Sequence, residues 1–230
     1  MSNNIDVGKT FNKIASTFNE VSNQYTIKRR YQKASSFSKG KLLDVGGASG
    51  LFLSFLNSDI QPIVLDISYN MCSEVKLNYG ANVVCADAEK LPFPHNSFDT
   101  VVSLESIYYL DNPLKFVIEV ERVLKSNGVF VLSFYNSRLN FFVSLRGLLR
   151  RLKLGGMFFD DGNPSFTKLE ALYQYIEGTS LEVSSVDNVV FFPYKIFDKL
   201  NLLLEKTFLN QYALFNMVII TKKSKKMFCK

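Results

Sequence analysis

The sequence predicts a doubly wound α/β fold built on a mostly parallel sheet. From Lys41 onward, short and nearly continuous apolar runs alternate with segments of helical spacing. Three of those runs close on an aspartate: Asp44, Asp66 and Asp87. The first run breaks into a small-residue turn, Gly46-Gly47-Ala48-Ser49-Gly50, and reopens as the apolar segment Leu51-Phe52-Leu53-Ser54-Phe55-Leu56. Strands covered by helices on both faces read as unbroken apolar runs, because neither face meets water.

Residues 5–37 read as helical, with Phe11, Ile14, Ala15 and Phe18 on one apolar face and a second segment starting at Tyr25 and Ile27, whose Lys28-Arg29-Arg30 run reads as exposed. No Gly or Pro falls between Lys9 and Lys39, so this is a helical preamble and not a linker, ended by Ser38-Lys39-Gly40. The first strand covers 41–45, and a helix over roughly 50–57 follows the turn with Ser49 as its cap. The second strand, 62–65, closes at Asp66, and the helix after Ser68 is stopped by Gly80. The third strand, 81–86, closes at Asp87. A fourth spans 98–104, a helix runs from Pro113 to Leu124, and Asn127-Gly128 turns into a fifth strand at 129–134. Beyond it, 166–176 and 196–208 have helical spacing, 181–192 alternates like a strand, and 213–221 is the last strand.

Between those regions, Phe141, Phe142, Leu145, Leu148, Leu149 and Leu152 form an apolar stripe opposite Arg138, Arg146, Arg150, Arg151 and Lys153. Such a helix, 138–153, serves either as a lid packing on the domain or as a peripheral contact with a membrane or lipid-like substrate.

A chain of 230 residues with 47% hydrophobic content can bury one large core. A single domain over 1–222 is expected, comprising a helical cap (1–40), a ligand-binding core (41–135), a lid insertion (136–165) and a helix and strand region (166–222), with a basic tail at 223–230. No apolar run is long enough to span a membrane, and Met1-Ser2-Asn3-Asn4 does not read as a signal peptide. Three cysteines, Cys72, Cys85 and Cys229, lack metal-type spacing and suit a reducing compartment, so a cytoplasmic location is expected. One histidine, His95, argues against a His-based metal site or catalytic triad, and no metal is expected. The net charge of +6 is concentrated in Lys222, Lys223, Lys225, Lys226 and Lys230, which leaves the body near neutral. Those lysines read as a solvated end or, alternatively, as an attraction for phosphates or anionic lipid. A near-neutral body gives no sign of a specific nucleic-acid face.

In open α/β sheets, ligands bind beyond the carboxyl ends of the strands. Asp66 follows Gly46 at the spacing that places an acid on two ribose hydroxyls, although each strand-ending aspartate could instead cap the helix after it. The turn discriminates between ligands. A dinucleotide fingerprint, Gly-x-Gly-x-x-Gly, fails here at Ala48 and Leu51. The pattern Asp-x-Gly-x-Gly-x-Gly is met by Asp44, Gly46 and Gly50, with Ala48 in place of the middle glycine. No phosphate then needs a cradle, and Asp44 supplies negative charge where a ligand ammonium or sulfonium would sit.

The block Leu42-Leu43-Asp44-Val45-Gly46-Gly47-Ala48-Ser49-Gly50 resembles motif I of the class I S-adenosylmethionine-dependent methyltransferases. The likeness continues through Val64-Leu65-Asp66-Ile67-Ser68, Cys85-Ala86-Asp87-Ala88-Glu89-Lys90-Leu91-Pro92-Phe93, Asn96-Ser97-Phe98-Asp99-Thr100-Val101-Val102-Ser103 and Glu121-Arg122-Val123-Leu124-Lys125-Ser126-Asn127-Gly128. These blocks, with the opening Phe11-Asn12-Lys13-Ile14-Ala15-Ser16-Thr17-Phe18-Asn19, are similar to the subgroup that includes the ubiquinone and menaquinone C-methyltransferases. The likeness covers about 11–135. It implies a Rossmann-like sheet of seven strands with an antiparallel last strand, N-terminal helices and a helical lid.

The resemblance also implies roles. Gly46, Gly47 and Gly50 would let the backbone approach the methionine and ribose parts of S-adenosylmethionine, beside Asp44. Asp66, with Ile67 next to it, would hold the ribose diol, Asp87 and Ala88 the adenine, and Ser103 and Leu104 would lie near the transferring methyl group. Tyr109 stands where many relatives carry His, so Glu105, Tyr108 and Tyr109 are the local candidates for a base, and a histidine base is not implied. The expected activity is methyl transfer to an O, N or C nucleophile of a small, partly apolar metabolite. The alternatives are a methyltransferase for RNA or protein, or a non-catalytic scaffold; a nicotinamide oxidoreductase is disfavoured by the turn. Neither the acceptor nor an oligomeric state is legible.

Overall fold

The computed structural model describes residues 3–18, 24–136 and 169–224. The helical preamble forms two helices, α1 (Asn3–Ile14) and α2 (Gln24–Ser35). The alternating region follows as β1 (Lys41–Val45), β2 (Gln61–Asp66), α3 (Tyr69–Tyr79), β3 (Asn82–Cys85), β4 (Phe98–Leu104), α4 (Pro113–Val123) and β5 (Leu124–Tyr135). After residue 168 come α5 (Leu169–Ile176), β6 (Leu181–Val186), α6 (Asp198–Leu204) and β7 (Phe215–Lys222). The stretch 138–153 lies outside the described residues, as do Phe166, Lys225, Lys226, Cys229 and Lys230.

The strands form one seven-stranded sheet in the order β3-β2-β1-β4-β5-β7-β6. β1 to β5 pair in parallel, and β7 runs antiparallel between β5 and β6. This is the mostly parallel, doubly wound sheet with an antiparallel last strand that the apolar pattern and the resemblance anticipate. Side chains alternate across it. Leu43, Val45, Val101, Phe130, Leu132, Val218 and Ile220 pack beneath Phe116, Val117, Val120 and Val123 of α4 and Leu172 of α5. Leu42, Val102, Val131, Met217 and Ile219 face the other way, towards Ala34 of α2 and Phe52. Each large apolar side chain buried this way contributes about 1.5–3 kcal/mol, which fixes the register because a one-residue slip would exchange the faces.

Several boundaries depart from the sequence pattern. The expected helix over 50–57 is a 3-10 helix, Leu51–Phe55. Gly50 adopts φ +81°, so the chain enters the turn left-handed and tightens, and the capping position falls on Gly50, which has no side chain to cap it, in place of Ser49. Asn127-Gly128 does not separate a helix from a new strand. β5 begins at Leu124, pairs with Phe98, and absorbs the pair as an irregularity before Val129 meets Thr100, with Asn127 at φ +61°. The apolar stretch 196–208 divides into a 3-10 turn (Lys195–Phe197), α6 and a second 3-10 turn (Phe208–Tyr212). β6 ends at Val186, and only a bridge from Val189 to Phe215 continues it.

Two of the terminal lysines are tied down. Lys222 Nζ donates to the carbonyls of Glu121 and Leu124 at 2.6 and 2.7 Å, where the end of α4 leaves carbonyls without helical partners. Lys223 pairs with Glu182 at 2.9 Å. Among the described residues no helix is long and apolar enough to cross a membrane.

Candidate functional site

The parallel strands β1 to β4 bring Asp44, Asp66, Cys85 and Leu104 to one edge of the sheet, so residues distant in sequence meet there. Asp44 is 2% exposed, and its Oδ2 has no hydrogen-bond partner. Burial, reinforced by the charge of Asp66, pushes its carboxyl pKa up to about 7. The glycine turn lies on this carboxylate: a Cβ on Gly47 would stand 2.6 Å from Asp44 Oδ2 and 2.6 Å from Val64 Cγ1. No other residue lets the turn come so close.

Asp66 holds the turn from the neighbouring strand. Its Oδ2 accepts the Ala48 N–H at 2.9 Å and its Oδ1 the Ser68 N–H at 2.8 Å. Burial raises its pKa, opposed by the N–H groups of Ser68, Ala48 and Ile67. A carboxylate has about four acceptor sites, so these N–H groups leave it able to accept a further hydrogen bond. Ala48, at φ +46°, occupies the left-handed region that costs a non-glycine residue about 1–2 kcal/mol, and its bond to Asp66 keeps it there. The departure from glycine at this position therefore acts on the backbone. Asp87 Oδ1 accepts the Glu89 N–H at 2.8 Å, and Ala88 beside it is half-buried. Ala86 N donates to the Asp66 carbonyl at 3.0 Å, which ties this loop to the end of β2.

The sequence reading missed what α1 contributes. Asn12 Oδ1 accepts from Ser68 Oγ at 2.7 Å and from the Asn70 N–H at 3.0 Å, while its carbonyl takes Asn70 Nδ2 at 2.9 Å. Gly8 faces the Ile67 carbonyl, and the Phe11 ring meets Tyr109 edge-on at 5.2 Å. α1 thus runs from the end of β2 to the turn after β4, across the mouth of the site. The one available signal was the polar Asn12 set between Phe11 and Ile14 of that helix's apolar face.

Beyond β4 the groups are already paired. The Ser103 hydroxyl is buried and shares a 2.5 Å hydrogen bond with Ser106, which in turn donates to the Val45 carbonyl at 3.2 Å. Leu104 is half-buried against the α2 face of the sheet. Glu105 takes φ +64°, held by an ion pair to Arg30 at 3.0 Å, the Ser133 hydroxyl at 2.7 Å and the Tyr108 hydroxyl at 3.0 Å. Tyr108 also accepts the Tyr135 N–H. Burial, and then the charge of Glu105, lifts its pKa well above 10, so at neutral pH it is a neutral donor. Arg30 comes from α2, stacks its guanidinium 4.1 Å above the Phe215 ring and is itself buried. Of the three residues read as local candidates for a base, Glu105 and Tyr108 belong to this network, and Tyr109 packs against Phe11 and Tyr108.

The arrangement suits a ligand with a cationic end near Asp44 and a diol near Asp66. Residues 43–132 match the family described as a methyltransferase domain. A malonyl-[acyl-carrier protein] O-methyltransferase from Marinomonas sp. is 34% identical over 99 residues, 40% of this chain and 37% of that protein. The rice 2-methyl-6-phytyl-1,4-hydroquinone methyltransferase 1 is 36% identical over 96 residues, 39% of this chain and 29% of that one. The chain therefore aligns with about a third of the length of these curated relatives. A SAM-dependent methyltransferase from Thermotoga maritima superposes with a TM-score of 0.67 at 17% identity, covering 95% of this chain and 100% of its own.

Proposed function

We propose that this chain, which has the class I methyltransferase fold and matches a methyltransferase domain over residues 43–132, is an S-adenosylmethionine-dependent enzyme that methylates an O, N or C nucleophile of a small, partly apolar metabolite. The observation that carries the reading is Asp44: a buried carboxylate oxygen without a partner, directly under the glycine turn. An unpaired buried acid is costly, and a cationic ligand group relieves that cost where a pyrophosphate would aggravate it. The residues present therefore fit this cofactor.

Asp66 would accept from the ribose diol with its remaining acceptor capacity, while its bonds to Ala48 and Ser68 keep the carboxylate oriented. Asp87 and Ala88 would meet the adenine, Ile67 would pack beside the ribose, and Gly46, Gly47 and Gly50 would line the methionine end. Bound there, S-adenosylmethionine supplies a methyl group already activated by its sulfonium. The chain's part is then orientation and exclusion of water, which α1 performs by roofing the site through Asn12 and Phe11. Leu104 and the Ser103 backbone stand at the methyl end, and Tyr109 shapes the acceptor side. Glu105 and Tyr108 act as supports, so an acceptor that is neutral or already deprotonated at working pH suits the site best.

The acceptor class rests on the names of the two relatives, one for a phytyl hydroquinone and one for a malonyl group borne by an acyl-carrier protein. A labelled-methyl transfer screen against metabolite, lipid, RNA and protein fractions tests it. Label in a small organic-soluble product supports the reading, label in RNA or protein replaces the acceptor class, and binding of the cofactor without transfer to any fraction favours a scaffold.

A further inference from the structure

Two thiols stand behind the turn that carries Asp66, and methyl transfer uses neither. Cys72 is buried in the first turn of α3, and its Sγ donates to the Asp66 carbonyl at 3.6 Å. Cys85 ends β3, lies opposite Asp66 in the parallel register and is exposed. Its Sγ donates to the Ile67 carbonyl, also at 3.6 Å. The two sulfurs therefore sit on consecutive carbonyls of one short segment, reached from the two elements that flank it. Sequence spacing gave no hint of this, because the pairing of β2 with β3 and the fold of α3 back over both are what bring the cysteines together.

We propose that Cys72 and Cys85 are a modification site at which a peroxide forms a disulfide, and that closing this bond weakens the hold of the Asp66 turn on the nucleoside end of the cofactor. The second half rests on the cofactor reading above; the first does not.

The chemistry balances with hydrogen peroxide as oxidant. The exposed Cys85 thiolate attacks one peroxide oxygen, the O–O bond breaks, and hydroxide leaves Cys85 as a sulfenic acid. The Cys72 sulfur then attacks the Cys85 sulfur, the S–O bond breaks, and the departing hydroxide takes the remaining thiol proton as water. Two thiols lose two electrons and two protons, and one peroxide becomes two waters. Exposure assigns the order: peroxide reaches Cys85 first. Burial, with the neighbouring thiol and Asp66, pushes the Cys72 thiol up to about 12, so it does not start the reaction, and its attack on the sulfenic acid is the slow step, with the thiol proton passing to the departing hydroxide.

A disulfide needs its sulfurs about 2.05 Å apart and its Cβ atoms about 3.8 Å apart. Reaching that geometry draws the first turn of α3 towards the end of β3, and both sulfurs give up their carbonyls. The segment between them is Asp66-Ile67-Ser68, whose carboxylate and N–H groups hold Ala48 and the start of α3. A shift here misplaces the ribose acid.

The full chain, treated with one and then several equivalents of hydrogen peroxide, acid-quenched and digested without reductant, gives a direct test by mass spectrometry. The expected result is the Cys72 and Cys85 peptides joined and two hydrogens lighter, in the wild type and in Cys229→Ser, and absent from Cys72→Ser. Free thiols fall from three to one. The dissociation constant for S-adenosylmethionine rises about 10-fold on oxidation, recovers with dithiothreitol, and does not respond to peroxide in Cys72→Ser. Cys85 found as sulfinic acid, or joined to Cys229 with Cys72 still a thiol, overturns the site. A Cys72–Cys85 bond that leaves the affinity unchanged overturns the coupling. A bond that forms in a protein whose reduced state binds no cofactor upholds the site and removes the cofactor reading.

Discussion

The two ends of the candidate site treat buried charge in opposite ways. At the β1–β2 end, Asp44 is buried with one oxygen unpartnered and its pKa raised to about 7. At the β4–β5 end, Arg30 is buried and pairs with the half-buried Glu105, which Ser133 and Tyr108 complete. The first end has its charge balance left for a ligand to finish. The second is finished by the protein, from a helix that lies before the sheet in sequence. Stability concentrates where charge is satisfied, and binding where it is not.

Breaking the finished end has the largest effect. Glu105→Ala leaves the Arg30 guanidinium buried without its anion, and a loss of about 3–5 kcal/mol is expected from denaturant unfolding. A change below about 1 kcal/mol would make this pair ornamental and erase the contrast.

At the unfinished end the sign reverses. The Asp44 carboxyl has a folded pKa of about 7 against an ordinary 3.8, so the fold keeps a proton that the unfolded chain has released. Its contribution favours the fold at acid pH and is lost progressively as pH rises from about 4 to 7. Asp44→Asn is therefore expected to raise the apo melting temperature at pH 8, to leave it nearly unchanged at pH 4, and to weaken S-adenosylmethionine about 10- to 100-fold. A variant less stable than wild type at pH 8 would show that the carboxylate is already satisfied. Asp66→Ala, which removes the proposed ribose acceptor and frees Ala48, is expected to cost about 10-fold in affinity for both the cofactor and its demethylated product. Equal binding by wild type and variant in calorimetry would move the ribose elsewhere. The smallest effect sharpens the picture of the turn: Ala48→Gly relieves a left-handed alanine, and a gain of about 0.5–1 kcal/mol is expected in thermal unfolding.

The unfinished end was legible in the sequence and the finished one was not. Asp44, the glycines and Asp66 lie within one strand-turn-helix-strand unit, where spacing alone sets who meets whom. The parallel sheet was legible for a similar reason, since its strands are buried on both faces and carry that burial in their composition. The Arg30–Glu105 pair joins α2 to the end of β4, and the sheet order alone brings them together. In sequence Arg30 looked like part of an exposed Lys28-Arg29-Arg30 run. Asn12 on Ser68 and the two thiols around Asp66 are contacts of the same kind. The helix expected after the turn failed for a local cause: Gly50 is left-handed, which a run of apolar residues does not reveal.

The most direct test of the account is calorimetric titration of S-adenosylmethionine at pH 7 in two buffers of different ionisation enthalpy. A cation placed against Asp44 lowers its pKa, so binding must release a proton, the heat must differ between buffers, and affinity must rise with pH through about 7. Asp44→Asn must lose that release. No binding at millimolar ligand would contradict the cofactor reading, and buffer-independent binding would contradict the part given to Asp44.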